Sequence, residues 1–282
     1  MFSKVSPMYR GGRISSFIAG AAMACMALTA AHAQASTITG VFSSPPASAN
    51  SDVTTNYTPI NIATDAAAWV YYGYTDQSSY TGGSTAGGMM NTDASNVASF
   101  SPLNYNANST QSGGGLSGAT GWMQLTYPGA SPTSSTAFIF DQAPSGGSST
   151  NNFYFTTNLI APAETLNLYL ISYDSKSNIT ATLPDGGTFT ADSVVLPYSP
   201  ASDTDGTGKG HGYGILSLNI TGGTVGQTLT FTDTNNITGV SNDSYSNVGI
   251  QAANVVVPEP ATLGLVAVGG LGLLLLKRRK TV

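Results

Sequence analysis

The chain has 282 residues, of which only 8% are charged, and its formal net charge is −5. The charges are unevenly distributed, because residues 34–257 contain thirteen acidic and two basic side chains, a net charge of −11. A field of that sign opposes binding to nucleic acid and to anionic lipid, and it favours solubility and attraction of divalent cations. Nucleic acid is therefore excluded as an expected partner.

Residues 1–33 have the features of a secretory signal peptide. Three cations precede a mostly apolar run at 14–29, and a small-x-small sequence at 31–33 supplies a cleavage site. The single cysteine, Cys25, lies inside the apolar run and is expected to be removed with the signal peptide. The exported body, residues 34–257, would then have no disulfide, no thiol nucleophile and no thiolate metal ligand.

The composition of the body predicts one all-β domain, because Ser, Thr, Gly, Asn and Tyr are abundant and helix formers are scarce. Leu166, Leu168 and Leu170 alternate with polar residues, as on a strand with one buried face. Strands are expected near 69–74, 122–127, 137–140, 153–156, 165–170, 179–183, 188–190, 215–220, 228–232 and 248–255. This spacing predicts an antiparallel β-sandwich. Its second half resembles jelly-roll and galactose-binding-like sandwiches.

Two other segments, 78–90 and 109–121, are rich in Gly, Ser and Thr and are expected to be long loops. Pro184-Asp185-Gly186-Gly187 predicts a turn, since proline presets φ and glycine accepts a positive φ.

The aromatic residues near 69–74 leave two alternatives open. Alternation puts Trp69 and Tyr71 on one side of the strand, and Tyr72 and Tyr74 on the other. One set is expected in the core, and the other could form a sugar-stacking face with Trp122 and Tyr127. A carbohydrate-binding module is therefore an alternative function.

Catalytic groups are scarce in the body. His211 is the only histidine left after maturation, and it lies in a glycine-rich segment that is expected to be flexible and exposed. Glu164 is the only glutamate of the body and is expected to be a solvated loop residue. A Ser-His-Asp triad or a glycosidase carboxylate pair would have to use these groups. We expect no enzyme, and a secreted hydrolase is the least favoured alternative.

Asp203 and Asp205 are the candidate metal ligands, in Asp203-Thr204-Asp205-Gly206-Thr207-Gly208. Two carboxylates one residue apart, with glycines that permit a tight turn, can wrap a calcium ion. An EF-hand loop starting at Asp203 would need a glutamate at its twelfth position, where Gly214 stands. A plain polar turn is therefore the favoured alternative. No other cofactor is indicated.

The C-terminal tail combines an uncharged apolar run at 261–276 with four cations, Lys277, Arg278, Arg279 and Lys280. Sixteen helical residues span roughly 24 Å, somewhat less than a hydrocarbon core of about 30 Å. Local thinning and snorkelling of the basic side chains accommodate this mismatch. The cations place this end in the cytoplasm. The alternative is a buried core helix, but such a helix rarely ends in four consecutive cations.

Pro258-Glu259-Pro260, the apolar run and the basic end together resemble the PEP-CTERM sorting signal, over residues 258–282. The resemblance implies recognition by exosortase, cleavage near Pro258, Glu259 and Pro260, and transfer of the body from the inner membrane to the cell surface or the extracellular matrix. It also implies a host that makes exopolysaccharide. The expected role is structural or adhesive, within an exopolysaccharide matrix or biofilm.

Overall fold

The structure is a computed structural model of the whole chain. It describes residues 35–46, 59–72, 90–105, 110–114, 123, 125–129, 138–142, 152–173, 175–197, 211–236 and 247–258. No helix of these residues is long and apolar enough to cross a membrane. The predicted signal peptide at 1–33 and the predicted membrane helix at 261–276 lie outside the described residues.

The described residues form an all-β structure without a helix. Its fifteen strands are β1 (Thr37–Ser43), β2 (Ile60–Asn61), β3 (Ala68–Tyr72), β4 (Met90–Thr92), β5 (Asn104–Tyr105), β6 (Thr110–Gly114), β7 (Leu125–Thr126), β8 (Phe138–Gln142), β9 (Asn152–Asn158), β10 (Ala163–Tyr173), β11 (Lys176–Thr182), β12 (Thr188–Val194), β13 (His211–Thr221), β14 (Thr228–Asn236) and β15 (Asn247–Val256).

The strands form two antiparallel sheets and a small cover. The large sheet has the order β1-β13-β10-β15-β3-β4, and β8 pairs with the N-terminal half of β15 and with β6. The small sheet has the order β12-β11-β14-β9-β5. The cover is the parallel pair β2–β7. The predicted antiparallel β-sandwich is confirmed at this level.

The main strand pairs are nested in sequence. β11 pairs with β12, β10 with β13, β9 with β14, and β3 with β15. Successive pairs alternate between the small and the large sheet. The segment from β9 to β11 therefore runs antiparallel to the segment from β12 to β14. The two segments pass from one sheet to the other at the same points.

The main core lies between the two sheets. Leu166, Leu168 and Leu170 are fully buried there, as the alternation predicts. From the small sheet, Phe153, Phe155 and Phe231 fill the facing side. The centroid of the Phe231 ring lies 5.4 Å from that of Phe155 and 6.1 Å from that of Phe153, within the range of favourable tilted aromatic pairs.

A second core covers the opposite face of the large sheet. Trp69 and Tyr71 of β3 pack there against Tyr127, with ring centroids 5.1 and 4.9 Å apart. Val70 and Tyr72 of the same strand point into the main core. The expectation that only one side of this strand is buried is therefore wrong, because the cover turns the outer face into an interior as well.

Two buried amides of β15 hold the second core together. The side chain of Gln251 donates to the Met123 carbonyl oxygen (3.0 Å), and that of Asn254 donates to the Ile62 carbonyl oxygen (2.7 Å). Gln251 is the extra residue of a β-bulge, at which the register with β10 shifts. The bulge changes the phase of the strand, so that Ile250 faces the main core and Ala252 the second.

Further segment predictions have mixed outcomes. The turn at Pro184-Asp185-Gly186-Gly187 is confirmed, with Gly186 at φ +96° and a hydrogen bond from Leu183 N to Gly187 O (2.8 Å). The predicted loop at 109–121 is wrong in part, because β6 occupies Thr110–Gly114. β1 is an additional strand, which pairs with β13 along its whole length.

Replacing Phe231 with alanine should test the main core. The substitution removes a fully buried ring between two other rings, so the free energy of unfolding should fall by about 3–5 kcal/mol. Thr232→Ala is the matched control, because its side chain points away from the core and its loss should cost less than about 1 kcal/mol. Urea denaturation of both variants measures the difference. Equal losses would contradict this assignment of the two faces.

Candidate functional site

The sorting residues follow directly on the last strand. β15 ends at Val256, Val257 packs partly buried against the main core, and Pro258 is exposed. Glu259, Pro260 and the basic residues 277–280 lie outside the described residues. The predicted processing signal therefore begins within two residues of a strand whose main-chain partners are β10 on one side and β3 on the other.

The two candidate catalytic residues are far apart. Glu164 lies opposite Ile220 near one end of the β10–β13 ladder, and His211 lies opposite Tyr173 at the other end. Tyr173 lies nine positions after Glu164 along β10, a distance of about 30 Å. The two backbone positions are therefore too far apart for Glu164 and His211 to act on one bond. His211 also begins β13 rather than lying in a flexible segment, so that expectation is wrong.

Glu164 is buried rather than solvated, with 2% of its surface exposed. Its Oε2 accepts hydrogen bonds from the backbone N–H groups of Ile160 (2.9 Å) and Ala161 (3.0 Å). Burial raises the pKa of this carboxyl, and the two hydrogen bonds oppose the rise. The side chain thus fixes the turn between β9 and β10.

The predicted calcium ligands Asp203 and Asp205 lie outside the described residues, between β12 and β13. Elsewhere, in the part of the chain that the structure describes, no three His, Cys, Asp or Glu side chains come together as a group that could hold a metal ion.

The predicted sugar-stacking face is not formed by the described aromatic residues near 69–74. Trp69, Tyr71 and Tyr72 are buried, with at most 7% of their surface exposed. Burial raises the pKa of Tyr127, which is half-buried against two of these rings. Trp122 and Tyr74 lie outside the described residues. Trp69, Tyr71 and Tyr127 pack the second core and Tyr72 packs the main core, so these rings do not form a platform in solvent.

The outer face of the small sheet carries a regular array of threonines, which we call the threonine face. Alternation along four neighbouring strands turns these residues away from the main core, and each is half-buried or exposed. The threonine face comprises Thr156, Thr180, Thr182, Thr188, Thr190, Thr228, Thr230, Thr232 and Thr234.

The rows of the threonine face are in register. Thr188, Thr182, Thr230 and Thr156 lie opposite one another on successive strands. The next row continues from Thr190, Thr180 and Thr232 to Tyr154 and Asn104. Neighbouring strands are about 4.8 Å apart, and alternate residues along a strand are roughly 6.7 Å apart.

Tyr154 is the aromatic residue of this surface, and 38% of its surface is exposed. Thr232 and Asn104 lie opposite it on the adjacent strands, and Asn152 and Thr156 are its same-face neighbours on β9. An exposed ring is thus bordered by hydroxyl and amide groups. The signal in the sequence is Thr-x-Thr-x-Thr-x-Thr at 228–234, the polar half of the alternation that buries Leu229 and Phe231.

The C-terminal segment matches a known family model. Residues 256–280 match the model of the PEP-CTERM protein-sorting motif. The chain carries a PEP-CTERM sorting motif. The PEP-CTERM motif implies export, a membrane-anchored sorting signal before processing, and processing by exosortase. It begins at Val256, the last residue of β15, so the PEP-CTERM motif and the folded sandwich share a boundary residue.

The sandwich itself has weaker similarities. A solved structure described as the structural basis for the promiscuous specificity of carbohydrate-binding modules from the β-sandwich superfamily is similar over 80% of this chain and 100% of that chain. The sequence identity is 8% and the TM-score is 0.31. A similarity of that degree carries no argument about what this chain binds. No curated protein matches the chain.

Replacing Glu164 with glutamine should change how stability depends on pH. Because burial raises the pKa of Glu164 above its ordinary value of 4.5, the folded state holds the proton more tightly than the unfolded state. This contribution to stability is present below pH 4.5 and is lost as the pH rises to the folded pKa. Glu164→Gln keeps an acceptor for the turn and removes the ionisation. Urea denaturation should therefore show it gaining stability relative to wild type as the pH rises through this window.

Glu164→Ala separates the two roles of the side chain. It leaves the backbone N–H groups of Ile160 and Ala161 without their acceptor, so it should destabilise the fold on both sides of the pH window. A glutamine variant whose stability followed that of wild type at every pH would contradict the pKa shift.

Proposed function

We propose that this protein is an exported surface or matrix protein with a structural or adhesive role in an exopolysaccharide matrix or biofilm. The observation that carries the proposal is that the PEP-CTERM motif begins at the last residue of a core strand. The sandwich is therefore held directly at the membrane until processing, and processing releases the whole folded body. A body with a net charge of −11 stays soluble after release.

We also infer that the sandwich is a jelly roll. The support is the nested series of pairs from β11–β12 outward to β3–β15, which alternates between the two sheets. Folding a long antiparallel hairpin over on itself produces that order, and jelly rolls are built in this way. The loops at both ends of such a sandwich connect different sheets.

We propose that the body has no catalytic activity. Glu164 supports this, because its carboxylate is buried and engaged with the backbone of a turn. The separation of about 30 Å along β10 supports it further, because it keeps Glu164 and His211 from sharing a substrate.

Replacing Pro258, Glu259 and Pro260 with alanine should block processing in the native host. We expect an uncut protein that stays in the membrane fraction, because the apolar segment and its basic end are retained. Immunoblotting of membrane and culture fractions measures the outcome, and the mass of any released form locates the cut.

The control is the unchanged chain in a host that lacks the sorting enzyme, which should give the same retained form. Release of the alanine variant at normal size would overturn the sorting proposal. The triple-alanine variant and the unchanged chain should have the same melting temperature, because Pro258 is exposed and lies beyond β15.

We propose weak calcium binding by Asp203 and Asp205. Extracellular modules bind calcium with dissociation constants of roughly 10⁻⁴–10⁻³ M. At ten times such a constant, calcium should stabilise the fold by about 1.4 kcal/mol and raise the melting temperature by a few degrees. Asp203→Asn with Asp205→Asn should abolish the rise in differential scanning calorimetry.

Asp65→Asn with Asp192→Asn is the matched control, because it removes the same charge at two exposed positions. That variant should keep the calcium effect. A rise in melting temperature that sodium chloride reproduces at equal ionic strength would instead indicate diffuse screening, and the segment would then be a plain polar turn.

A further inference from the structure

The centre of the threonine face is uncharged, although the body is strongly acidic. The charged residues in the strands of the small sheet are Lys176, Asp192 and Asp233. Asp233 is fully buried on the inner side, where it accepts a hydrogen bond from the Ser177 hydroxyl (3.1 Å). Lys176 and Asp192 lie toward one end of β11 and β12, beyond the rows that contain Thr232 and Thr230. The rows that contain Thr232 and Thr230 therefore offer a charged partner no ion pair.

Tyr154 gives this surface an exposed aromatic ring on which a ligand can stack. It is exposed, although the other described aromatic residues of β9 and β14, Phe153, Phe155 and Phe231, are buried. A tyrosine ring presents an apolar body with a polar tip, and threonine and asparagine supply donors and acceptors beside it. Sugar rings have the complementary chemistry, with C–H faces and hydroxyl edges.

We propose that the threonine face, centred on Tyr154, binds a neutral polysaccharide. The inference rests on the proposed function only in taking a matrix polysaccharide as the natural ligand. The pyranose ring stacks on Tyr154, while Thr232, Asn104 and Asn152 hydrogen-bond its hydroxyl groups.

The charge of the body makes a neutral polymer the fitting ligand. Net charge of −11 repels a polyanion over distances of about 10 Å at ordinary ionic strength. A neutral chain meets no such repulsion and requires no charged group to lose its water. The face is also extended, since Thr228 to Thr234 alone span roughly 20 Å, so several sugar units of one chain can lie on it.

Affinity electrophoresis of the full chain in a non-ionic detergent tests the proposal. Native gels contain dextran, a mixed-linkage β-glucan or a galactomannan as the neutral polymer, and alginate as the anionic one. We expect at least one neutral polymer to slow the protein and alginate to have no effect. Tyr154→Ala should weaken the affinity at least tenfold, and Thr232→Val several-fold.

Thr39→Val is the matched control, because Thr39 is exposed on β1 of the other sheet and its loss should leave the affinity unchanged. Tyr154→Phe should retain most of the affinity, because it keeps the ring. Unchanged melting temperatures of all variants would show that the fold is intact.

Several outcomes would overturn the proposal. These are the absence of retardation by all three neutral polymers, equal retardation by alginate, and retardation that Tyr154→Ala leaves intact. A dimer that Tyr154→Ala converts to a monomer in sedimentation velocity would make a second copy of the chain the occupant instead. Each of these results is independent of the sorting proposal, which is tested by localisation in the host.

Discussion

Burial of β15 on both faces is the constraint on which the rest of the structure depends. Its side chains reach the main core through Val248 and Ile250, and the second core through Ala252. Its two edges pair with β10 and with β3 and β8. The bulge at Gln251 makes this double role possible, because it shifts the alternation partway along the strand. Both cores take side chains from β15, so the sandwich and its cover are expected to fold together.

Polar groups inside the second core make its packing specific. Asn254 accepts a hydrogen bond from Asn167 (2.9 Å), which in turn accepts one from the Ser217 hydroxyl (2.7 Å). The hydrogen bond with Asn254 opposes the effect of burial on Tyr169, but burial still raises the pKa of that tyrosine to about 12. On the cover side, the amides of Gln251 and Asn254 bond the Met123 and Ile62 carbonyl oxygens, and because a buried amide is costly to leave unpaired, these two bonds favour one placement of the cover on the sheet.

Strands with a simple alternation could be predicted from sequence, and the core leucines of β10 are an example. The burial of both faces of β3 could not be predicted from sequence. The sequence of this aromatic strand looks amphipathic until the cover over its outer face is known. The prediction that Glu164 is solvated is wrong for a related reason. Local composition indicates a solvated acid, whereas the two N–H groups that hold it come from a turn whose path depends on β9 and β10.

The sorting motif and the threonine face differ in how far the sequence reveals them. The PEP-CTERM motif is contiguous, so its order of short signature, apolar run and cations can be recognised without a fold. The threonine face joins residues of separate strands, and only the register of β11, β12, β14 and β9 brings Tyr154 next to Thr232. Strands with alternating threonines are common. Which of these threonines lie opposite one another can be known only from the strand order and register.

The overlap of the sorting motif with the last residue of β15 has a mechanical consequence. In the membrane-held form, any tension between the anchor and the body enters the sandwich at Val256. The tension then acts along β15, while its ladder hydrogen bonds to β10 and β3 run across the direction of pull. Such loading shears many bonds at once and does not open them one after another. The strand that connects the domain to its anchor is therefore the one best placed to bear force.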